Sequence, residues 1–142
     1  MKHFTLPELL RSSTAVNKKI ENLPTMEVVH NLEALVDNLL DPLREAWGSG
    51  IRVSSGFRCV QLNNAVGGVQ NSQHIYGCAA DIQPSNGRFN EFVAFLKKWL
   101  PGRSWDKCII ETSKSSGAKW VHIVWKSSQG YQRRKLFDME AK

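Results

Sequence analysis

The chain has little cysteine, and what it has is not arranged for staples or zinc fingers: Cys59, Cys78 and Cys108 include no Cys-x-x-Cys pair. An odd number of thiols without framework spacing argues against a disulfide-held fold and fits folding in a reducing compartment. No apolar run reaches transmembrane length, so no membrane partner is expected. The opening Met1-Lys2-His3-Phe4-Thr5-Leu6-Pro7-Glu8 lacks the charged-then-apolar order of a secretory signal, and synthesis in the cytoplasm is expected. Helix-turn-helix spacing, zinc-finger spacing and interleaved aromatic and basic residues are all missing, so no nucleic-acid partner is expected. Repeats, linkers and low-complexity stretches are missing too, which leaves one domain over residues 1–142 and nothing that sets an oligomeric state.

What is present suffices for a core. A chain of 142 residues that is 42% hydrophobic can bury one without staples. Lys and Arg number 19 against 13 Asp and Glu, and the net charge of +6 suits an anionic partner such as nucleic acid, an anionic membrane surface or a cell wall. Leu23-Pro24-Thr25 reads as a helix start with Thr25 as N-cap and Glu27 in the first turn. Val28, Val29, Leu32, Leu35, Val36, Leu39, Leu40 and Leu43 then recur at helical spacing as one buried stripe. Pro42 is expected to kink that helix, and Gly48 and Gly50 to end it before a strand at Ile51 to Ser54. A short helix over Val60 to Val66, a central strand at Ala80 to Gln83 and an amphipathic helix carrying Phe89, Phe92, Val93, Leu96, Trp99 and Leu100 follow. Asp106 to Thr112 and Lys119 to Trp125 read as a hairpin, and Tyr131 to Phe137 as a basic edge strand.

The stretch Ser72-Gln73-His74-Ile75-Tyr76-Gly77-Cys78-Ala79-Ala80-Asp81 reads as half of a metal site. On a helix of about 3.6 residues per turn, groups seven apart lie about two turns, roughly 10 Å, from each other. A bend must therefore bring His74 and Asp81 together, and Gly77 supplies it while Ala79 and Ala80 keep the following segment slim. The strand around Trp120-Val121-His122-Ile123-Val124 offers the second half. Two imidazoles and a carboxylate suit zinc and leave a fourth position open, as in catalytic sites. The plain alternative for His122 is a histidine satisfied within an apolar strand. A His74–Cys78 pair is a rival ligand set, and His30 has no partner at ligand spacing.

Ser55-Gly56-Phe57-Arg58, Leu62-Asn63, Gly67-Gly68 and the run Ser-x-His-x-x-Gly-x-Ala-x-Asp at 72–81 together resemble the M15 family of zinc D-alanyl-D-alanine carboxypeptidases, in particular its small members from bacterial and phage cell-wall lysis proteins. The resemblance runs from Phe4-Thr5-Leu6-Pro7-Glu8-Leu9 through the His122 strand. It implies the hedgehog/DD-peptidase type of α+β fold, a single domain with helices packed on a small, mainly antiparallel sheet and the metal at its open face. It also implies a Zn2+ cofactor on His74, Asp81 and His122, and peptidoglycan stem peptide as substrate, reached after release from the cell. Where that family often has an acidic residue three positions before the last histidine, this chain has Lys119, so the catalytic base is assigned to Glu111 on the partner strand, with Asp106 next in line. Arg58 is expected to anchor a substrate carboxylate through its planar fork, and Ser72 and Gln73 to line the cleft. A stem-peptide endopeptidase of endolysin type and a metal-binding wall-binding module without catalysis remain alternatives.

Overall fold

A computed structural model describes residues 1–141 of the chain. Two short helices, α1 (Leu6–Leu10) and α2 (Ser13–Asn17), precede the long apolar one. They are too short for helical periodicity to reveal, but α1 carries a legible start signal. Thr5 and Glu8 form a reciprocal capping box, which satisfies backbone N–H groups that a helix end otherwise leaves unpaired.

The long helix begins on Thr25, whose hydroxyl accepts from the Val28 N–H. It runs as α3 (Met26–Leu35), widens into a π turn at Val36–Leu40, and continues as α4 (Asp41–Trp47). The expected disturbance at Pro42 takes this form. Pro42 lacks an N–H and its ring crowds the carbonyl four residues back; the turn before it opens so that the Asp41 N–H reaches the Val36 carbonyl. The Asp41 carboxylate, buried, accepts from the Lys2 and His3 N–H groups at 2.6 and 3.0 Å and so holds the amino-terminal segment against the helix.

Strand β1 (Ile51–Ser55), helix α5 (Val60–Ala65), a 3-10 turn (Gln73–Tyr76), β2 (Ala79–Pro84), α6 (Phe89–Trp99), β3 (Lys107–Ser113), β4 (Lys119–Val124) and β5 (Lys135–Ala141) complete the order. The strands form one five-stranded sheet in the order β1-β2-β4-β3-β5, antiparallel except for the parallel β3–β5 pair. The fold is α+β. Alternation along each strand sorts the residues by face: Ile51, Val53, Ala80, Ile82, Cys108, Ile110, Val121 and Ile123 join α3, α4 and α6 in the core. Asp81, Ile109, Glu111 and His122 therefore belong to the opposite face, and cross-strand pairing sets Asp81, His122 and Ile109 in one row.

The last strand differs from the expected Tyr131 to Phe137. Residues 127–134 instead form a loop with its own bonds: the Ser127 N–H donates to the Tyr131 carbonyl, the Tyr131 N–H to the Ser127 hydroxyl, and Arg134 sits at φ 57°, which no strand residue adopts. Arg133 grips the fully buried Asp106 with both prongs, Nε to Oδ1 at 2.8 Å and Nη2 to Oδ2 at 3.0 Å. Burial works to raise the Asp106 pKa, but these bonds win and hold it below the ordinary carboxylate range. Asp106 is thereby a fastening for β5 and not a free base.

Two close approaches position the functional loops. A Cβ on Gly56 would lie 2.3 Å from the Leu9 carbonyl oxygen, because Phe57 donates its N–H to that same oxygen at 2.8 Å. Gly77, at φ +74°, would bring a Cβ to 2.8 Å from the Val28 carbonyl oxygen. Gly56→Ala is therefore expected to destabilise the protein by about 1–3 kcal/mol, the range for overpacking. Gly117→Ala, where φ is also positive but nothing lies within 4 Å, should cost only about 1 kcal/mol through backbone strain. Urea unfolding monitored by tryptophan fluorescence checks the order, and equal losses at the two positions would contradict it.

Candidate metal centre

The sequence places the site on three segments. Ser55-Gly56-Phe57-Arg58 leaves β1 just after a register shift between Val53 and Ser55, an irregularity that turns the chain away from the sheet. Asn22 fixes this exit: its amide donates to the carbonyls of Leu10 and Phe57, and its oxygen accepts from the Cys59 N–H. The His74 turn then locks onto the exit from the other side. His74 Nδ1 donates to the Gly56 carbonyl at 2.6 Å, and the Arg58 N–H donates back to the His74 carbonyl at 3.1 Å.

A carbonyl oxygen only accepts, so His74 carries its hydrogen on Nδ1 and turns the lone pair of Nε2 inward. That lone pair faces Asp81 Oδ1 at 3.1 Å, and His122 Nδ1 faces the same oxygen at 3.2 Å. Potential donor atoms of His74, Asp81 and His122 all lie within 4.8 Å of one another, and the two rings meet edge to face with centroids 5.1 Å apart. The three side chains thus converge on one place, where a single cation could meet all of them. Ligands at about 2.0–2.1 Å from a tetrahedral zinc stand roughly 3.3 Å apart, close to the spacings found here, so the donor set fits that ion.

Electrostatics agrees with this arrangement. Burial lowers the His74 pKa more than Asp81 raises it, which favours the neutral form that a metal ligand must take. Burial acts to raise Asp81, but the two histidines outweigh it and hold the carboxyl far below its usual range. Glu111 lies opposite Trp120 in the β3–β4 ladder, one step diagonal from His122, with Oε1 4.0 Å from His122 Nδ1. Burial, and after it the charge of Asp81, raises the Glu111 pKa. Arg58 closes the near side, with Nη2 3.8 Å from Asp81 Oδ2, and burial lowers its pKa.

Other candidates are placed differently. The Ser72 hydroxyl accepts from the His74 N–H and caps the 3-10 turn, and Gln73 clasps Ser128 through both ends of its amide, at 3.2 and 2.7 Å. Both side chains are thus engaged within the protein. Cys78 does not pair with His74: its Sγ lies 3.8 Å from the Tyr76 carbonyl oxygen, and burial pushes its thiol up to about 11. Lys119 shares a face of β4 with Val121 and Ile123, away from His122, so its side chain replaces no carboxylate in this cluster. Sequence reasoning missed Asn22 and Asn63, both of which hold the Arg58 segment by side-chain amides. Only Asn63 carried a signal, as part of the resemblance.

Purified protein reconstituted with zinc is expected to hold close to one ion per chain. His122→Ala and Asp81→Asn should each weaken binding by more than the ~10–100-fold typical of losing a group that merely orients a ligand. Cys78→Ser should leave binding unchanged. Plasma mass spectrometry after dialysis against graded chelator measures all three, and full retention in His122→Ala would exclude it as a ligand.

The profile of the peptidase M15 family matches residues 2–123, which takes in all three donors, Arg58 and Glu111 and stops before β5. Over 44 residues the chain is 50% identical to a zinc D-Ala-D-Ala carboxypeptidase of Streptomyces albus G, a stretch that covers 30% of this chain and 17% of that protein. Among the described residues no helix is long and apolar enough to cross a membrane. With a match over most of its length, and with a buried cluster whose donor chemistry is that of a zinc-dependent peptidase, the chain belongs to the peptidase M15 family.

Proposed function

We propose that this protein is a zinc peptidase that hydrolyses the peptide part of peptidoglycan, by removal of a carboxyl-terminal D-alanine. The observation that carries the reading is the convergence of His74 Nε2 and His122 Nδ1 on Asp81 Oδ1, with Glu111 beside them on the open face of the sheet. The family supports peptidase chemistry, and the relative's activity on D-Ala-D-Ala supports the substrate class. The net charge of +6 favours an anionic wall over a neutral target.

His74, Asp81 and His122 would hold a zinc ion, whose Lewis acidity would polarise a scissile carbonyl and activate water near neutral pH. Glu111 takes the proton that water releases as its oxygen bonds to the carbonyl carbon. The same carboxyl then gives that proton to the amine nitrogen as the C–N bond breaks, so one residue serves both halves of the reaction. A carboxyl whose pKa is raised by burial suits this exchange, since it holds a proton more readily than an exposed carboxyl would. Arg58 meets the substrate's terminal carboxylate and fixes which end of the peptide enters. The Gln73–Ser128 and His74–Gly56 contacts tie the His74 turn to the loop after β4 and to the turn after β1.

Incubation with defined muropeptides, followed by mass spectrometry of the products, tests the reading. Loss of a single terminal alanine is expected, and a chelator should abolish it. Release of larger fragments would replace it with stem-peptide endopeptidase activity, and no products with zinc bound would leave a wall-binding module. Glu111→Gln is expected to lower kcat by roughly two to four orders of magnitude, the contribution of a general base, while zinc content stays near one per chain. Unchanged turnover in that variant would move the base elsewhere.

A further inference from the structure

Asn63 is only 1% exposed, lies outside the metal cluster, and has both ends of its side chain engaged. Its Nδ2 donates to the Val69 carbonyl at 2.9 Å, and its Oδ1 accepts from Arg58 Nη1 at 3.3 Å. Its main-chain carbonyl accepts from the Gly68 N–H at 2.9 Å. The end of α5, the 66–69 loop and the guanidinium are thus tied at one amide. Gly68 passes so close that a Cβ there would lie 2.1 Å from Asn63 Oδ1 and 2.9 Å from Arg58 Nη1. Any side chain at that position must displace the amide, the guanidinium or both.

The orientation this imposes on Arg58 matters for chemistry. With Nη1 held by Asn63, the edge formed by Nε and Nη2 is left over. Nε is buried with no hydrogen-bond partner among the described residues, and Nη2 stands 3.8 Å from Asp81, beyond hydrogen-bond reach. A buried donor without a partner is costly, about 1–3 kcal/mol, and marks a place where another group completes the bonding. The same edge of Arg133 grips a carboxylate in this protein, at 2.8 and 3.0 Å on Asp106.

We propose that Asn63 is a positioning residue: it orients Arg58 so that the Nε and Nη2 edge meets the terminal carboxylate of the substrate peptide, and Gly68 keeps open the space that this requires. The proposal rests on the reading of Arg58 as the carboxylate anchor, and the test separates the two. The measurement is the ratio of kcat/KM for a peptide ending in a free D-alanine carboxylate to that for the same peptide with a carboxyl-terminal amide. It is made on the zinc-loaded wild type, Arg58→Lys, Asn63→Ala, Asn63→Asp and Gly68→Ala. A parallel titration follows the Arg58 Nε–H resonance of each Arg58-bearing protein as a short acetylated peptide ending in D-alanine is added.

The wild type should prefer the free carboxylate, and Arg58→Lys should lose that preference. Asn63→Ala and Gly68→Ala should lose it as well, through a KM raised roughly ten- to a hundredfold for the carboxylate peptide alone, a size usual for misplacing a binding group. Asn63→Asp, which keeps an oxygen for Nη1, should retain most of the preference, and the Nε–H shift should persist in it and weaken in Asn63→Ala. Arg58→Lys losing the preference while Asn63→Ala keeps it overturns the role of Asn63 alone. Equal losses on both peptides in Asn63→Ala, or failure of both Asn63 variants to fold, reduce Asn63 to a structural residue and also overturn the proposal. A wild type indifferent to the carboxylate overturns the anchor reading itself.

Discussion

The 2.6 Å hydrogen bond from His74 Nδ1 to the Gly56 carbonyl is the contact on which the rest of the site depends. It decides which ring nitrogen keeps a lone pair, and it aims that lone pair at Asp81. It also joins the turn after β1 to the turn before β2, so the residue that would bind a metal and the residue that would bind a carboxylate move as one body. Backbone packing makes the bond possible. Gly56 must lie against α1, Gly77 must lie against α3, and Ala79 and Ala80, both fully buried, must let β2 pass between its neighbours. This packing brings three potential donor atoms within 4.8 Å of one another, where one cation could meet all of them.

The sheet supplies the second constraint. Because cross-strand partners share a face, pairing Asp81 with His122 puts two of the three candidate ligands side by side on neighbouring strands, with Ile109 completing the row. Glu111 enters from the next position along β3 and needs no loop to place it. Residues on strands are held more stiffly than residues on loops, which suits a base that must work within hydrogen-bond reach of a small nucleophile. Beyond the family match, β5 is held by the buried Asp106–Arg133 pair, a fastening whose partners lie 27 residues apart in sequence.

The grouping of His74, Asp81 and His122 was legible because the bend between the first two needs a residue free to take a positive φ, and Gly77 marks it at +74°. The long helix was legible from its stripe, and the hairpin from its alternation. The short helices α1 and α2 were not, since five residues cannot show a period of 3.6. The true position of β5 was hidden because Arg133 and Arg134 read as strand residues until Asp106 claims one of them and a left-handed backbone stops the other. Ser72 and Gln73 sat in the right motif, but their partners, the His74 N–H and Ser128, are set by tertiary structure and not by the local pattern. Asn22 was invisible for the same reason.

The central claim is that His74, Asp81 and His122 form one metal centre, and anomalous scattering across the zinc absorption edge tests it most directly. Crystals of the zinc-loaded protein are expected to show a single strong peak within bonding distance of His74 Nε2, His122 Nδ1 and the Asp81 carboxylate, about 2.0–2.2 Å from each, with Glu111 adjacent but not bonded. A principal peak at Cys78, at His30 or on the surface, or a strong site that omits His122, would contradict the account.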